Sequence, residues 1–84
     1  MPVSFSKDIR PLFRQVDIDH MRPMSVLLDD YAYMSDSADD HKNAHDVQAF
    51  LKGDRKPRMP LGGPFWSAEQ LDLFARWMSD GYQA

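Results

Sequence analysis

The chain has 84 residues, no cysteine and a formal net charge of −3 at pH 7. A chain of this length forms a single domain over residues 1–84, and the lack of cysteine excludes disulfides, thiolate metal sites and thiol catalysis. The negative net charge argues against a nucleic-acid partner, because proteins that bind nucleic acids usually carry a basic surface patch. No apolar run approaches the ~20 residues of a membrane span, and no signal peptide is visible, so we expect a cytoplasmic protein without a membrane partner.

Apolar residues at the start of the chain recur at helical spacing and predict a helix over residues 6–16. The members of this stripe are Phe5, Ile9, Leu12, Phe13 and Val16. Ser6 can cap the helix through its hydroxyl. Pro11 lacks an N–H and its ring clashes with the preceding turn, so we expect the early turns to be bent or separate.

The middle of the chain has weaker signals. Residues 17–25 have no sustained period and predict a loop, whereas residues 26–34 allow a short helix capped by Asp29 or Asp30. Residues 35–42 are polar and acidic and also predict a loop.

Two further helices have clear ends. Asn43 is a good N-cap for a helix that stops at Gly53, with Val47, Phe50 and Leu51 as its buried stripe. Ser67 and Gln70 form a capping box for the last helix, whose apolar stripe is followed by Gly81. That stripe consists of Leu71, Phe74, Trp77 and Met78.

A proline- and glycine-rich linker over residues 54–66 separates these two helices. The chain has no internal repeat and no convincing strand. The fold class predicted from these patterns is therefore all-α.

Two segments resemble parts of bacterial class I cytochrome c domains. Residues 5–13 (Phe-Ser-Lys-Asp-Ile-Arg-Pro-Leu-Phe) resemble the N-terminal helix of that family. Residues 59–64 (Met-Pro-Leu-Gly-Gly-Pro), together with the helix that follows, look like its distal methionine loop and last helix. The resemblance implies a small cytochrome-c-like bundle of three to four short helices with long loops.

The resemblance breaks where the family attaches its haem. In the family the first helix leads into Cys-x-x-Cys-His, and the corresponding residues 16–20 here are Val-Asp-Ile-Asp-His. The resemblance thus keeps both axial-ligand positions, as His20 and Met59, and loses both thioether tethers. It implies a domain without covalent haem. We expect no cofactor, and the alternative is an electron carrier whose haem is held non-covalently by His20 and Met59.

A second alternative is a small metal-binding protein. His41 and His45 are four residues apart and are surrounded by aspartates, which suits a site with nitrogen and oxygen ligands. An N-cap at Asn43 would leave His41 outside the helix and spoil that geometry. No nucleophile with an adjacent base is apparent, so we do not expect an enzyme.

An aromatic pair closes the linker. Phe65 and Trp66 follow Pro64, at a position where two rings are hard to bury completely, and aromatic residues are enriched at the centres of protein interfaces. The basic stretch over residues 52–58 could steer an acidic partner. The sequence therefore favours a haem-free interaction or accessory module with a protein partner, beside a redox enzyme by family analogy.

Overall fold

The computed structural model describes residues 3–56, 59 and 65–84. Within these residues every regular element is helical, apart from one isolated bridge between Ser4 and Gln83, which confirms the all-α class. The elements are a π-helical turn Phe5–Ile9, a 3-10 turn Arg10–Leu12, α1 Gln15–Met21, a 3-10 turn Arg22–Met24, α2 Tyr31–Met34, α3 Ala38–Lys52 and α4 Ala68–Ser79. None of these helices has the length and apolar character needed to cross a membrane.

The N-terminal segment folds as two short turns rather than as one helix over 6–16. The π-helical turn is capped by Ser4, whose hydroxyl accepts a hydrogen bond from Lys7 N, so the predicted cap at Ser6 is wrong. The predicted break is confirmed, because Pro11 lies in a separate 3-10 turn that ends in extended backbone at Phe13.

Helix α1 lies in the region for which the sequence predicts a loop, and that prediction is wrong. Arg14 starts the helix through a reciprocal hydrogen-bonded pair with Asp17 at its third position. Ile18 and Met21 are each 1% exposed and anchor the helix to the core. Val16 points the other way and is 61% exposed, which contradicts its place in the predicted buried stripe.

Helix α2 is a single turn. Asp30 caps it, because the Asp30 carboxylate accepts a hydrogen bond from Ala32 N at 3.0 Å, so the second of the two predicted caps is confirmed. Met34 at its end is fully buried.

Helix α3 begins with a left-handed turn. Asp39, Asp40 and His41 have φ values of 54°, 57° and 60°, and right-handed geometry follows from residue 42 onward. The predicted N-cap at Asn43 is wrong, because Asn43 lies inside the helix and its amide donates to Tyr33 O at 3.1 Å. The predicted end is confirmed, since Gly53 has φ 86° and closes the helix in the left-handed region, which glycine adopts without steric cost.

Helix α4 carries the centre of the core. The predicted capping box is present, with Gln70 N donating to Ser67 Oγ at 3.2 Å and Ser67 N donating to Gln70 Oε1 at 2.8 Å. Phe74 and Trp77 are completely buried, while Leu71 and Met78 are half-buried. The buried stripe predicted for the middle helix, Val47, Phe50 and Leu51, is also confirmed.

The left-handed turn should be a point of stored strain. A non-glycine residue in this region costs about 1–2 kcal/mol, so Asp40→Gly should raise the free energy of unfolding by about 0.5–1 kcal/mol after the extra chain entropy of glycine is subtracted. Asp72→Gly is the matched control, since Asp72 is exposed in the right-handed helix α4. There the same substitution should be destabilising. Urea denaturation of both variants measures the difference, and a destabilising Asp40→Gly would contradict the left-handed assignment.

Candidate functional site

A small cavity lies between helix α1 and the segment that follows helix α3. Val16, Asp17, His20, Met21 and Met59 line it, and its volume is about 40 Å³. Both axial-ligand positions named by the resemblance, His20 and Met59, thus border the same cavity, although 39 residues separate them in the sequence.

Helix α1 supplies four of the lining residues. Its first turn is fixed by an ion pair in which Arg14 Nε and Nη2 donate to the Asp17 carboxylate at 3.0 and 2.9 Å. The hydrogen bond to Asp17 raises the pKa of the Arg14 guanidinium. Asp17 is 6% exposed, and the pairing with Arg14 compensates the cost of burying its charge. His20 is exposed near the end of the helix, and Met21 is buried beside it.

Met59 is brought to the cavity by the end of helix α3. Asp54 N and Arg55 N donate to Ala49 O at 2.8 and 3.3 Å, which folds the chain back along the helix. Met59 N then donates to Phe50 O at 3.0 Å, and Met59 is 1% exposed.

Ion pairs support this reversal of the chain. Arg55 Nη1 lies 2.8 Å from Asp46 Oδ1, and the Arg55 guanidinium lies 4.9 Å from the centre of the Phe50 ring. Lys42 Nζ donates to the other oxygen of Asp46 at 2.6 Å. This hydrogen bond, together with the nearby positive charges, lowers the pKa of the Asp46 carboxyl against a smaller desolvation effect. Asp46 therefore links the body of helix α3 to the segment that leads to Met59.

The cavity does not fit a haem. Sites for cofactor-sized molecules measure ~300–1,000 Å³, whereas this one measures about 40 Å³. One of its walls is the buried, charged carboxylate of Asp17, which is a poor neighbour for an apolar porphyrin. His20 and Met59 line the same cavity, whose volume is too small for a macrocycle.

Sequence reasoning missed Met21 as a lining residue. The family resemblance indicates His20, whereas the pattern of residues 17–25 predicts a loop and gives no reason to single out Met21. The available signal was the spacing of Ile18 and Met21, which are three apart and lie on one face once a helix starts at Gln15.

The histidine pair predicted as a metal site is not assembled. The His41 ring stacks on the Tyr82 ring at 3.8 Å between centroids, in the left-handed turn, while His45 is exposed on the right-handed part of α3. In the part of the chain that the structure describes, no three histidine, aspartate or glutamate side chains converge to hold a metal ion.

The aromatic pair at the end of the linker is divided between core and surface. Trp66 is 7% exposed and packs against Phe13 and Phe74, with ring centres at 5.2 and 6.2 Å, whereas Phe65 is 49% exposed. The expectation that both rings are hard to bury is therefore wrong for Trp66. The core of the linker, residues 58–64, lies outside the described residues except for Met59.

The two rings should respond differently to truncation. Trp66→Ala removes a buried indole and should lower the free energy of unfolding by about 3–5 kcal/mol. Phe65→Ala removes a half-exposed ring and should cost about 1 kcal/mol. Thermal and urea denaturation measure both, and equal losses would contradict the assignment of Trp66 alone to the core.

Comparison with known proteins gives no relative from which a function can be transferred. No protein-family model, no curated protein and no solved structure matches the chain.

Proposed function

We propose that the chain is a haem-free domain on a cytochrome-c-like scaffold that acts as a non-catalytic protein-interaction module. The scaffold assignment rests on the resemblance of residues 5–13 and 59–64 to that family. An accessory role beside a redox enzyme rests on the same analogy. The observation that carries the haem-free part is the volume of about 40 Å³ left between His20 and Met59.

The aromatic packing of the interior supports the same proposal. The rings of Trp66 and Phe13, of Trp66 and Phe74, and of Phe74 and Trp77 form a continuous series with centres 5.2, 6.2 and 5.6 Å apart. Aromatic pairs at these separations bury large areas and attract one another beyond that burial. This packing supports a core whose stability does not depend on a prosthetic group.

The surface beside the cavity supports an interaction role. Val16 is 61% exposed on helix α1 at the edge of the cavity, although its neighbours Asp17 and Ile18 are buried. Phe65 is exposed next to Trp66, whose ring touches Phe13, three residues before Val16. Val16 and Phe65 are thus both exposed apolar side chains, and apolar groups contribute most at the centres of protein interfaces.

A substitution at Val16 tests the interaction role. Affinity-tagged wild-type chain and Val16→Asp are compared for proteins that they retain from a lysate of the source organism, and any candidate is then rebuilt from purified components. We expect Val16→Asp to weaken the complex about tenfold or more, since an unpaired charge at an interface centre costs more than 1.4 kcal/mol.

Met24→Asp is the matched control for that experiment. Met24 is another exposed apolar side chain, 46% exposed, and it borders a different cleft, beside Tyr33 and Arg55. The complex should survive this change. Equal binding by both variants, or no complex that can be rebuilt from purified proteins, would count against the proposed surface.

The alternative function is an electron carrier with non-covalent haem. One observation favours it, namely that the imidazole of His20 and the thioether of Met59 border the same cavity. His–Met ligation is an established coordination mode of haem iron. For a haem to enter, helix α1 and the Met59 segment would have to move apart and expose part of the core.

Haemin titration separates the two functions. The purified protein is titrated with haemin, with and without dithionite, and the visible spectrum and the free energy of unfolding are recorded. We expect no saturable change that depends on His20 or Met59. Sharp reduced bands that disappear in both His20→Ala and Met59→Leu would establish the electron carrier and refute the haem-free module.

A further inference from the structure

We propose that His20, Met21 and Met59 form a binding site for a single Cu(I) ion in the cavity between helix α1 and the Met59 segment. All three side chains line one space of about 40 Å³. The site goes beyond the interaction role proposed above and does not depend on it, because it uses the interior of the cavity rather than the surface at Val16.

The donor set points to a soft, monovalent ion. Four of the lining residues carry groups that can coordinate a metal: two thioethers, one imidazole and the carboxylate of Asp17. Thioethers select Cu(I) over harder cations. Zinc is held in proteins by thiolates, imidazoles and carboxylates, whereas calcium and magnesium require several oxygen ligands. The chain has no cysteine, so thiolates do not compete with this set for copper.

The carboxylate in the cavity wall is already engaged. Both oxygens of Asp17 accept hydrogen bonds from Arg14, at distances of 2.9 to 3.1 Å, so the guanidinium already balances the charge of this carboxylate. With one carboxylate, already paired with Arg14, the lining lacks the several oxygen ligands that a hard divalent ion requires.

Size and burial agree with an ion. A volume of about 40 Å³ is larger than the ~10–15 Å³ that a cavity needs in order to hold one water molecule, so a single ion has room. Met21 and Met59 are both 1% exposed, so their sulfur-bearing side chains are shielded from water and from oxidation. His20 and Val16 are exposed and form the side from which an ion can enter.

The methionine residues provide a direct spectroscopic test. The purified protein, with its methionine methyl groups carbon-13 labelled, is titrated anaerobically with Cu(I), which is diamagnetic. We expect the methyl resonances of Met21 and Met59 to shift together and to saturate at one equivalent. Met24, Met34 and Met78 lie outside the cavity lining and should not shift, so they serve as internal controls.

Affinity measurements identify the ligands. Competition with a chromophoric Cu(I) chelator gives the dissociation constant for the wild type, Met21→Leu, Met59→Leu and His20→Ala. Leucine preserves the volume of methionine, so the fold should survive. Each variant should bind at least ~10-fold more weakly, since even the loss of a group that only supports a ligand costs 10–100-fold in metal affinity. Met24→Leu and His45→Ala are the controls, and their affinities should equal that of the wild type.

Three results would overturn the site. They are the absence of stoichiometric binding, shifts confined to methionines outside the cavity, and an affinity that survives Met21→Leu or Met59→Leu. Loss of binding in His45→Ala alone would assign the metal to the other end of the chain and also refute the site. None of these results bears on the complex weakened by Val16→Asp, so failure of the copper site and failure of the interaction role are distinguishable.

Discussion

The structure depends on the burial of Trp77. Its indole is fully enclosed, and its ring lies 5.5 Å from Phe5, 5.6 Å from Phe74 and 5.1 Å from Tyr82, measured between centroids. The one polar atom of the indole is satisfied, because Nε1 donates to Gln83 O at 2.8 Å. Since a buried polar group without a partner is costly, this bond fixes the C-terminal segment against helix α4.

The two ends of the described chain are joined around that indole. Gln83 O accepts a second hydrogen bond, from Phe5 N at 2.9 Å, and Val3 N donates to Asp80 Oδ2 at 2.9 Å. The N-terminal turn, helix α4 and the C-terminal residues therefore enclose Trp77 together. A domain of this size buries only about 60% of its unfolded surface, so contacts between distant parts of the chain contribute much of its stability.

The same packing limits what the interior can bind. Trp66 continues the aromatic series from Phe74 to Phe13, and the cavity bordered by helix α1 has a volume of about 40 Å³. That space is bordered by soft donors and one neutralised carboxylate, and it opens beside exposed His20 and Val16. The proposed copper site uses the interior of this region and the proposed protein contact uses its rim, so the two proposals involve different residues.

The sequence by itself determined the features that depend on local hydrogen bonds and on regular spacing. Four features follow from interactions within a few residues and can therefore be predicted without knowledge of the fold. They are the capping box at Ser67, the helix end at Gly53, the break at Pro11 and the buried stripe of helix α4. Helix α1 was not predicted because its N-cap is Arg14, which is not a common cap residue. Arg14 takes this position through its hydrogen bonds with Asp17.

The tertiary structure decided the rest. Several features depend on contacts between residues far apart in the sequence. They are the exposure of Val16, the burial of Trp66, the left-handed turn before residue 42 and the position of Met21 and Met59 at one cavity. The sequence could name His20 and Met59 as a pair only through a family resemblance. It could not give the size of the space between them, because that volume is what remains after all the surrounding side chains have packed.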